Sequence, residues 1–442
     1  MLSTDSLLRS EKKQGASRLP KILAVEFEVF GHHAEYVQNI ADVWLAAGID
    51  GCLEFLLTNR FKNVHANVVE HIHAMNSEKI ATRFITDEEE VQLSRPSLKH
   101  WNGWNLFCKY ATKSNADLGL FMYFDRFQLP VCFGQKSPIP FAGIYFRPTF
   151  HYHTFNGYRP TINERWVALR KQFLLRRVLR NKELKTLLVL DPIAVRYIQQ
   201  HFNANGRISH FADSFPRISS SLAAVNELRQ ELEIEPNRFV FCLIGILDHR
   251  KGPMQLLESI KHIPEEVASK ICILLAGRTP DAFKNALENA VANAKKTSKV
   301  QIILRNEYIA TAKVQEFYAL SDVLLTTYQF HTGSSSVLLR SASQRKPLLS
   351  SDYGLLGHLV RTLELGVTVD STQPKEIANG IVRMASSNPQ AYLNVSNADR
   401  LAQENSQEQL AMDLTRLLKV ASIRSNSSLH KSSDLSEHLF NE

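Results

Sequence analysis

Two short turns carry residue types that can hold a phosphate. LDHRKGP (247–253) places His249, Arg250 and Lys251 between an apolar run and a helix start at Gly252. Three donors there, at least two of them cationic, suit a diphosphate, whose charge is spread over several oxygens. A solvated basic turn has the same composition. HTGSSSVLLR (331–340) passes from small residues into an apolar stretch. The free N–H groups of a helix's first turn, together with its dipole, form an anion site. Ser side chains there can contact the anion or merely cap the helix. Each turn follows a strand-like run, so each raises the odds of the other.

A third stretch, FGHHAEY (30–36), puts Gly31 before His32 and His33 at the start of a helical pattern. Glycine allows close backbone approach, and a histidine can bind substrate or move a proton. A packed or surface histidine is the alternative. No third ligand has suitable spacing for a metal.

The strongest charge feature is ERWVALRKQFLLRRVLRNKELK (164–185). Basic residues surround Trp166, Leu169, Phe173, Val178 and Leu179. Such a helix can lie on an anionic membrane surface, or it can be a solvated helix with one face packed on its domain. A recognition motif for RNA is missing, so nucleic acid is not an expected partner. No GxxxxGK[ST] occurs, which leaves a nucleoside-triphosphatase without support.

These residues need elements to position them. From residue 21 apolar strand-like runs alternate with helical patterns: ILAVEF (22–27), CLEFLL (52–57), KIATRFIT (79–86), LGLFMYF (118–124), PFAGIYFRP (140–148) and TLLVLD (186–191). A second series holds FVFCLIGIL (239–247), KICILLAG (270–277), VQIILRN (300–306), DVLLTTY (322–328) and PLLSS (347–351). Strands separated by helices imply parallel sheets covered on both faces. The 442 residues suffice for two such domains. The reading is α/β: two doubly wound Rossmann-like domains facing across a cleft. Residues 1–20 form a disordered leader, 21–215 and 216–420 the two domains, and 421–442 a flexible Ser-rich tail. Ligands in such sheets bind beyond the carboxyl ends of strands, which selects Asp125, Arg147, Asp191 and Gly277-Arg278 as well as the three turns.

Composition is globular, 44% hydrophobic and 22% charged, with a net charge of +8 that favours an anionic partner. Five cysteines without a CxxC pair read as reduced thiols of a cytosolic protein. No run of 18 apolar residues predicts a membrane span, so contact with the inner face of a membrane would be peripheral.

In this order and spacing, residues 238–388 resemble the nucleotide-sugar half of retaining GT-B glycosyltransferases of the family 4 type. The matching stretches are IGILDHRKGPMQLLESI, ILLAGRTPD, IILRNEYIATAKVQEFYALSDVLLTTY, HTGSSSVLLRSASQRKPLLSSDYGLLGHLV and ELGVTVDS. FGHHAEYVQNIADVWLAAG extends the likeness to the first half. The resemblance implies transfer of a sugar from a nucleotide-diphosphate sugar to a glycan or lipid-linked acceptor, without a metal or other cofactor. It implies donor binding by Gly31, Arg250, Lys251, Gly333, Ser334, Ser335 and Ser336, with Glu307 and Tyr308 near the base. His32 and Asp125 would face the transferred sugar or the acceptor as catalytic residues. One departure stands out. The family often carries two glutamates eight positions apart, the second on the nucleotide ribose. Thr332 and Arg340 occupy those positions here. A guanidinium only donates, whereas a carboxylate accepts ribose hydroxyls. Arg340 therefore enters as a donor-site residue of changed chemistry. The alternative function is a binding or regulatory protein on the same fold with catalysis lost.

Overall fold

The computed structural model describes residues 18–29, 33–95, 98–155, 158, 160–215 and 220–437. Two parallel sheets organise the chain. The first runs β1 (Lys21–Val25), β2 (Cys52–Leu57), β3 (Ile80–Phe84), β4 (Leu118–Phe121), β5 (Phe141–Tyr145), β6 (Leu184–Val189) and β7 (Ile208–His210). Its spatial order is β3-β2-β1-β4-β5-β6-β7. The second has β8 (Phe239–Ile244), β9 (Ile271–Ala276), β10 (Gln301–Arg305), β11 (Val323–Thr326), β12 (Leu348–Ser351) and β13 (Gly366–Val369), in the order β10-β9-β8-β11-β12-β13.

Each order reverses beside its first strand, between β1 and β4 and between β8 and β11. Ile22 pairs with Leu118 in the first sheet, and Leu324 with Cys242 in the second. A doubly wound sheet opens a crevice at the carboxyl end of such a reversal.

The central strands follow from their sequences. FVFCLI and ICILLA are apolar along nearly their whole length and buried on both faces. Cys242 and Cys272 sit within them as free thiols, and burial pushes each thiol up to about 12. The edge strands β7 and β13 have only three and four residues. β7 is shorter than the four residues an alternation or apolar run needs, and β13, GVTV, mixes Gly and Thr into its four.

The domain limits differ from the sequence expectation at the C-terminus. Helix Gln407–Glu437 crosses back to the first domain. Leu410, Leu414, Leu417 and Leu418 join Ile22, Ala24 and Trp44 in the first-domain core. Residues 407–420 thus pack with the first domain rather than the second, and the chain past 421 continues this helix. Its first three to four turns bury leucines at helical spacing, and that burial outweighs the polar composition further along.

Asn39 fastens both the end of the first domain and the returning helix, donating to the Ser214 carbonyl and hydroxyl, both at 2.9 Å, while Gln407 donates to Asn39 at 3.2 Å. An aromatic contact crosses to the second domain. Phe155 stacks on His358 of the second domain, ring centres 4.0 Å apart.

Candidate active site in the interdomain cleft

At the second reversal, β8 ends at Ile244 and turns through Gly245, whose φ of +113° only glycine adopts readily. The Asp248 carboxylate then accepts the Lys251 N–H at 3.2 Å. Gly252 follows in the left-handed region, φ +74°, where a Cβ would collide with the Thr327 carbonyl. Pro253 opens the next helix. This tight turn folds the Lys251 side chain back over the sheet edge. Its Nζ donates to the Ile244 carbonyl at 3.2 Å and to the Tyr328 hydroxyl at 2.6 Å, and lies 4.2 Å from the Tyr328 ring centre.

Tyr328 closes the chain just after β11, and its hydroxyl lies 3.3 Å from Ser335 Oγ. Ser335 caps helix Ser336–Ser343, its Oγ accepting the Val337 N–H at 3.2 Å. One chain of contacts therefore spans the reversal, from Lys251 through Tyr328 to the helix start. His331 completes it, with Nε2 2.9 Å from the Ser334 carbonyl and its ring edge-on to Tyr328. Burial, with the nearby cations Arg250, Lys251 and Arg147, holds His331 below the usual imidazole range. It is neutral at pH 7. Arg250 is half-exposed and only loosely paired with Asp248, at 3.4 Å. A multiply charged anion fits here: a lysine with hydrogen-bonding capacity left, a mobile guanidinium and a helix N-terminus converge.

The first-domain reversal presents a different chemistry. Glu26, buried at the end of β1, meets His33 Nδ1 through Oε2 at 2.7 Å and accepts the Glu28 N–H through Oε1 at 2.8 Å. Burial raises the Glu26 pKa, while His33 and Arg126 oppose the rise. His33 opens helix His33–Ala46 and packs edge-on to Tyr123, 5.3 Å between ring centres. A buried carboxylate on Nδ1 fixes the ring orientation and leaves Nε2 as the acceptor.

Asp125 follows β4 and accepts the N–H groups of Phe146 and Arg147, at 2.8 and 3.2 Å. Burial raises its pKa, opposed by the Phe146 bond and by the charges of Lys171 and Arg147. Lys171 donates to the Arg147 carbonyl at 2.6 Å and to Thr149 at 3.0 Å, and burial pushes it down to about 8. Both Asp125 oxygens thus hold the backbone after β5, which aims the exposed Arg147 toward the cleft where His331 feels its charge.

The sequence-selected residues separate into groups. Lys251, Arg250 and Ser334–Ser336 come together around Tyr328, and Gly333 lies in the same turn. Glu307 and Tyr308 share the carboxyl edge but follow β10, two strands from the reversal. Glu307 is held by Arg305 Nε at 2.6 Å, and Tyr308 is 77% exposed. Gly31 and His32 lie outside the described residues. Arg340 departs most from its expectation. It is buried at the seam, paired with Glu35 of the first domain and lying 4.3 Å from the Phe215 ring centre. Its guanidinium thereby joins the two domains. Glu26, Tyr328 and His331 were missed as site residues, whereas His33 was read with His32 as a candidate. The signal for Tyr328 and His331 was their position just past the strand beside the reversal, and for Glu26 an acid closing an apolar run.

Comparison with known proteins agrees with this layout. Residues 224–406 match the family model described as Glycosyl transferases group 1. The architecture is GT-B. Anabaena HepE, solved with UDP, superposes with a TM-score of 0.63 at 16% identity, covering 90% of this chain and 99% of HepE. Sucrose-phosphate synthase of Thermosynechococcus elongatus gives 0.64 at 17% identity, covering 90% and 98%. An uncharacterized glycosyltransferase of Methanocaldococcus jannaschii is 23% identical over 189 residues, 42% of this chain. That alignment spans 45% of the relative's own length. The GT-B domain matched by the family contains β8 to β13, and hence the whole Lys251–Tyr328–Ser335 chain.

Proposed function

We propose that this protein transfers a sugar from a nucleotide-diphosphate sugar to a glycan or lipid-linked acceptor, with retention of configuration. The observation that carries the reading is Lys251, held over Tyr328 beside the Ser335-capped helix at the β8–β11 reversal. As the bond from the anomeric carbon to the diphosphate breaks, negative charge grows on the leaving oxygen. Lys251, Arg250 and the first amides of helix Ser336–Ser343 are already oriented to meet it, so little reorganisation accompanies the step. Arg147 adds charge from the opposite wall. In this reading the chain's own cations neutralise the diphosphate, and no metal is assigned to the step.

His33 faces the acceptor side. Oriented by Glu26, His33 can hold a reacting hydroxyl in place through Nε2. With retention, the acceptor hydroxyl attacks on the face the diphosphate leaves, and its one proton passes to the departing phosphate oxygen. HepE binds UDP, so uridine diphosphate sugars head the donor panel. Incubating the protein with a panel of donors and following nucleotide release tests the reading, and the anomeric configuration of the product tests retention. Lys251→Ala should abolish transfer in a protein that still unfolds cooperatively.

A second reading, a GT-B protein that binds without turnover, rests on one observation. Arg340 and Thr332 stand at the positions where the family this chain resembles often carries two glutamates, and Arg340 is engaged by Glu35. Turnover of any donor eliminates it. Binding without turnover across the whole panel favours it.

A further inference from the structure

Helix Ile162–Val178 turns one face to the core and, among the described residues, leaves the other exposed. Leu175 and Val178 are buried, while Ile162, Trp166, Leu169 and Phe173 are between 58% and 76% exposed. Their spacing of four, three and four residues places them in a single stripe opposite the buried face. Phe133, also exposed, comes from the neighbouring helix beside Arg177, whose Nε donates to the Cys132 carbonyl at 3.4 Å. Residues 162–182 hold seven arginines or lysines against one carboxylate, Glu164. That carboxylate is occupied, accepting from Thr161, Tyr158 and Tyr353.

Continued along the helix, the stripe leads to Arg176 and Arg180. These line a cavity of about 610 Å³ together with Lys182, His201, Asn203 and Arg207, and no acidic residue among those described lines it. A helix C-terminus ordinarily repels an anion through its free carbonyls. Here Arg207 donates to the carbonyls of Leu179, Asn181 and Leu184, which offsets that end. Arg176 is fixed over the Phe202 ring, 4.9 Å from its centre. The cavity is cationic and open to solvent, and it adjoins an exposed apolar stripe.

We propose that this surface docks on an anionic phospholipid bilayer, the stripe entering the interface and the cavity receiving a phosphate-bearing headgroup. Trp, Leu and Phe flanked by Arg are the residues of an interfacial helix. Clustered cations recognise phosphate through charge-assisted bonds. At the other end of the helix, Glu164 is held by Tyr353 of the second domain. Docking therefore sets the mouth of the cleft beside the lipid surface, where a lipid-linked acceptor would be met. The inference does not rest on the transfer reaction and is tested without it.

The test is flotation of the whole protein with vesicles of phosphatidylglycerol and phosphatidylcholine, against phosphatidylcholine alone, at roughly 50 and 500 mM salt. Binding is expected to the anionic vesicles at low salt, with a blue shift of Trp166 emission that Trp166→Phe removes without preventing flotation. Arg176→Ser, Arg180→Ser and Lys182→Ser together should lower vesicle affinity about 100-fold. Trp166→Ser, Leu169→Ser and Phe173→Ser together should abolish binding. These side chains are exposed, and an unchanged unfolding midpoint confirms that the variants are folded. Absence of flotation at low salt, equal binding to uncharged vesicles, or variants that float like the parent would each overturn the proposal. So would salt-sensitive affinity for RNA without flotation.

Discussion

Replacing Arg340 by Ala separates the domain seam from the donor site. The guanidinium is buried, paired with Glu35 and stacked over Phe215. Breaking a fully buried ion pair by removing one partner costs about 3–5 kcal/mol. Glu35 is only half-buried and regains some water, so about 2–3 kcal/mol is the working figure for Arg340→Ala. In domains of this size that lowers the unfolding midpoint by about 5–10 °C. Because the effect runs through Glu35, Arg340→Ala and Glu35→Ala combined should cost at least about 1 kcal/mol less than the sum of the single changes. Calorimetric unfolding of the four proteins measures this, and titration with the bound nucleotide measures the site. Nucleotide affinity should change by less than about threefold, since a contact worth even 1.4 kcal/mol would give tenfold. Additive single effects, or an unchanged midpoint with nucleotide affinity lost tenfold, would refute the assignment of Arg340 to the seam.

Other expectations follow from neighbouring groups. Burial and Glu35 push Asp213, whose carboxylate accepts the Tyr36 hydroxyl, up to about 6. The folded state then holds a proton that the unfolded chain has released between roughly pH 4 and 6, so stability falls as pH rises through that window. Asp213→Asn should flatten that slope and raise stability above pH 6 by on the order of 1–2 kcal/mol, measured by urea unfolding across pH. His33→Ala should lower the turnover rate by about 100-fold with nucleotide affinity unchanged. Glu26→Gln should do less and shift the pH profile of turnover. Tyr328→Phe removes the hydroxyl between Lys251 and Ser335. Loss of one such hydrogen bond should weaken nucleotide binding by about three- to tenfold in a titration.

The fold was legible where burial is two-sided. Runs such as FVFCLI and ICILLA announce central parallel strands. The strand-end rule led directly to Lys251 and Ser335, because their turns combine donors with small residues. Glu26 was hidden because a single acid at the end of ILAVEF is indistinguishable from the polar side of a strand. Its pairing with His33 exists only once the turn and the helix start are folded together. Arg340 shows the opposite case. Its position in the sequence suggested a ribose contact, but helix Ser336–Ser343 turns it toward Glu35, more than 300 residues away in the chain. The return of helix Gln407–Glu437 to the first domain was equally hidden, because its leucines would pack as well on either sheet.

The central claim is that the β8–β11 reversal holds a nucleotide diphosphate through Lys251. Calorimetric titration of UDP, GDP and ADP into the parent protein and into Lys251→Met tests it most directly, since methionine keeps the bulk and removes the charge. At least one nucleotide should bind the parent. Lys251→Met should weaken that binding by at least about tenfold, the worth of a charged hydrogen bond, with cooperative unfolding intact. Failure of all three to bind the parent, or equal affinity in the folded variant, would contradict the account.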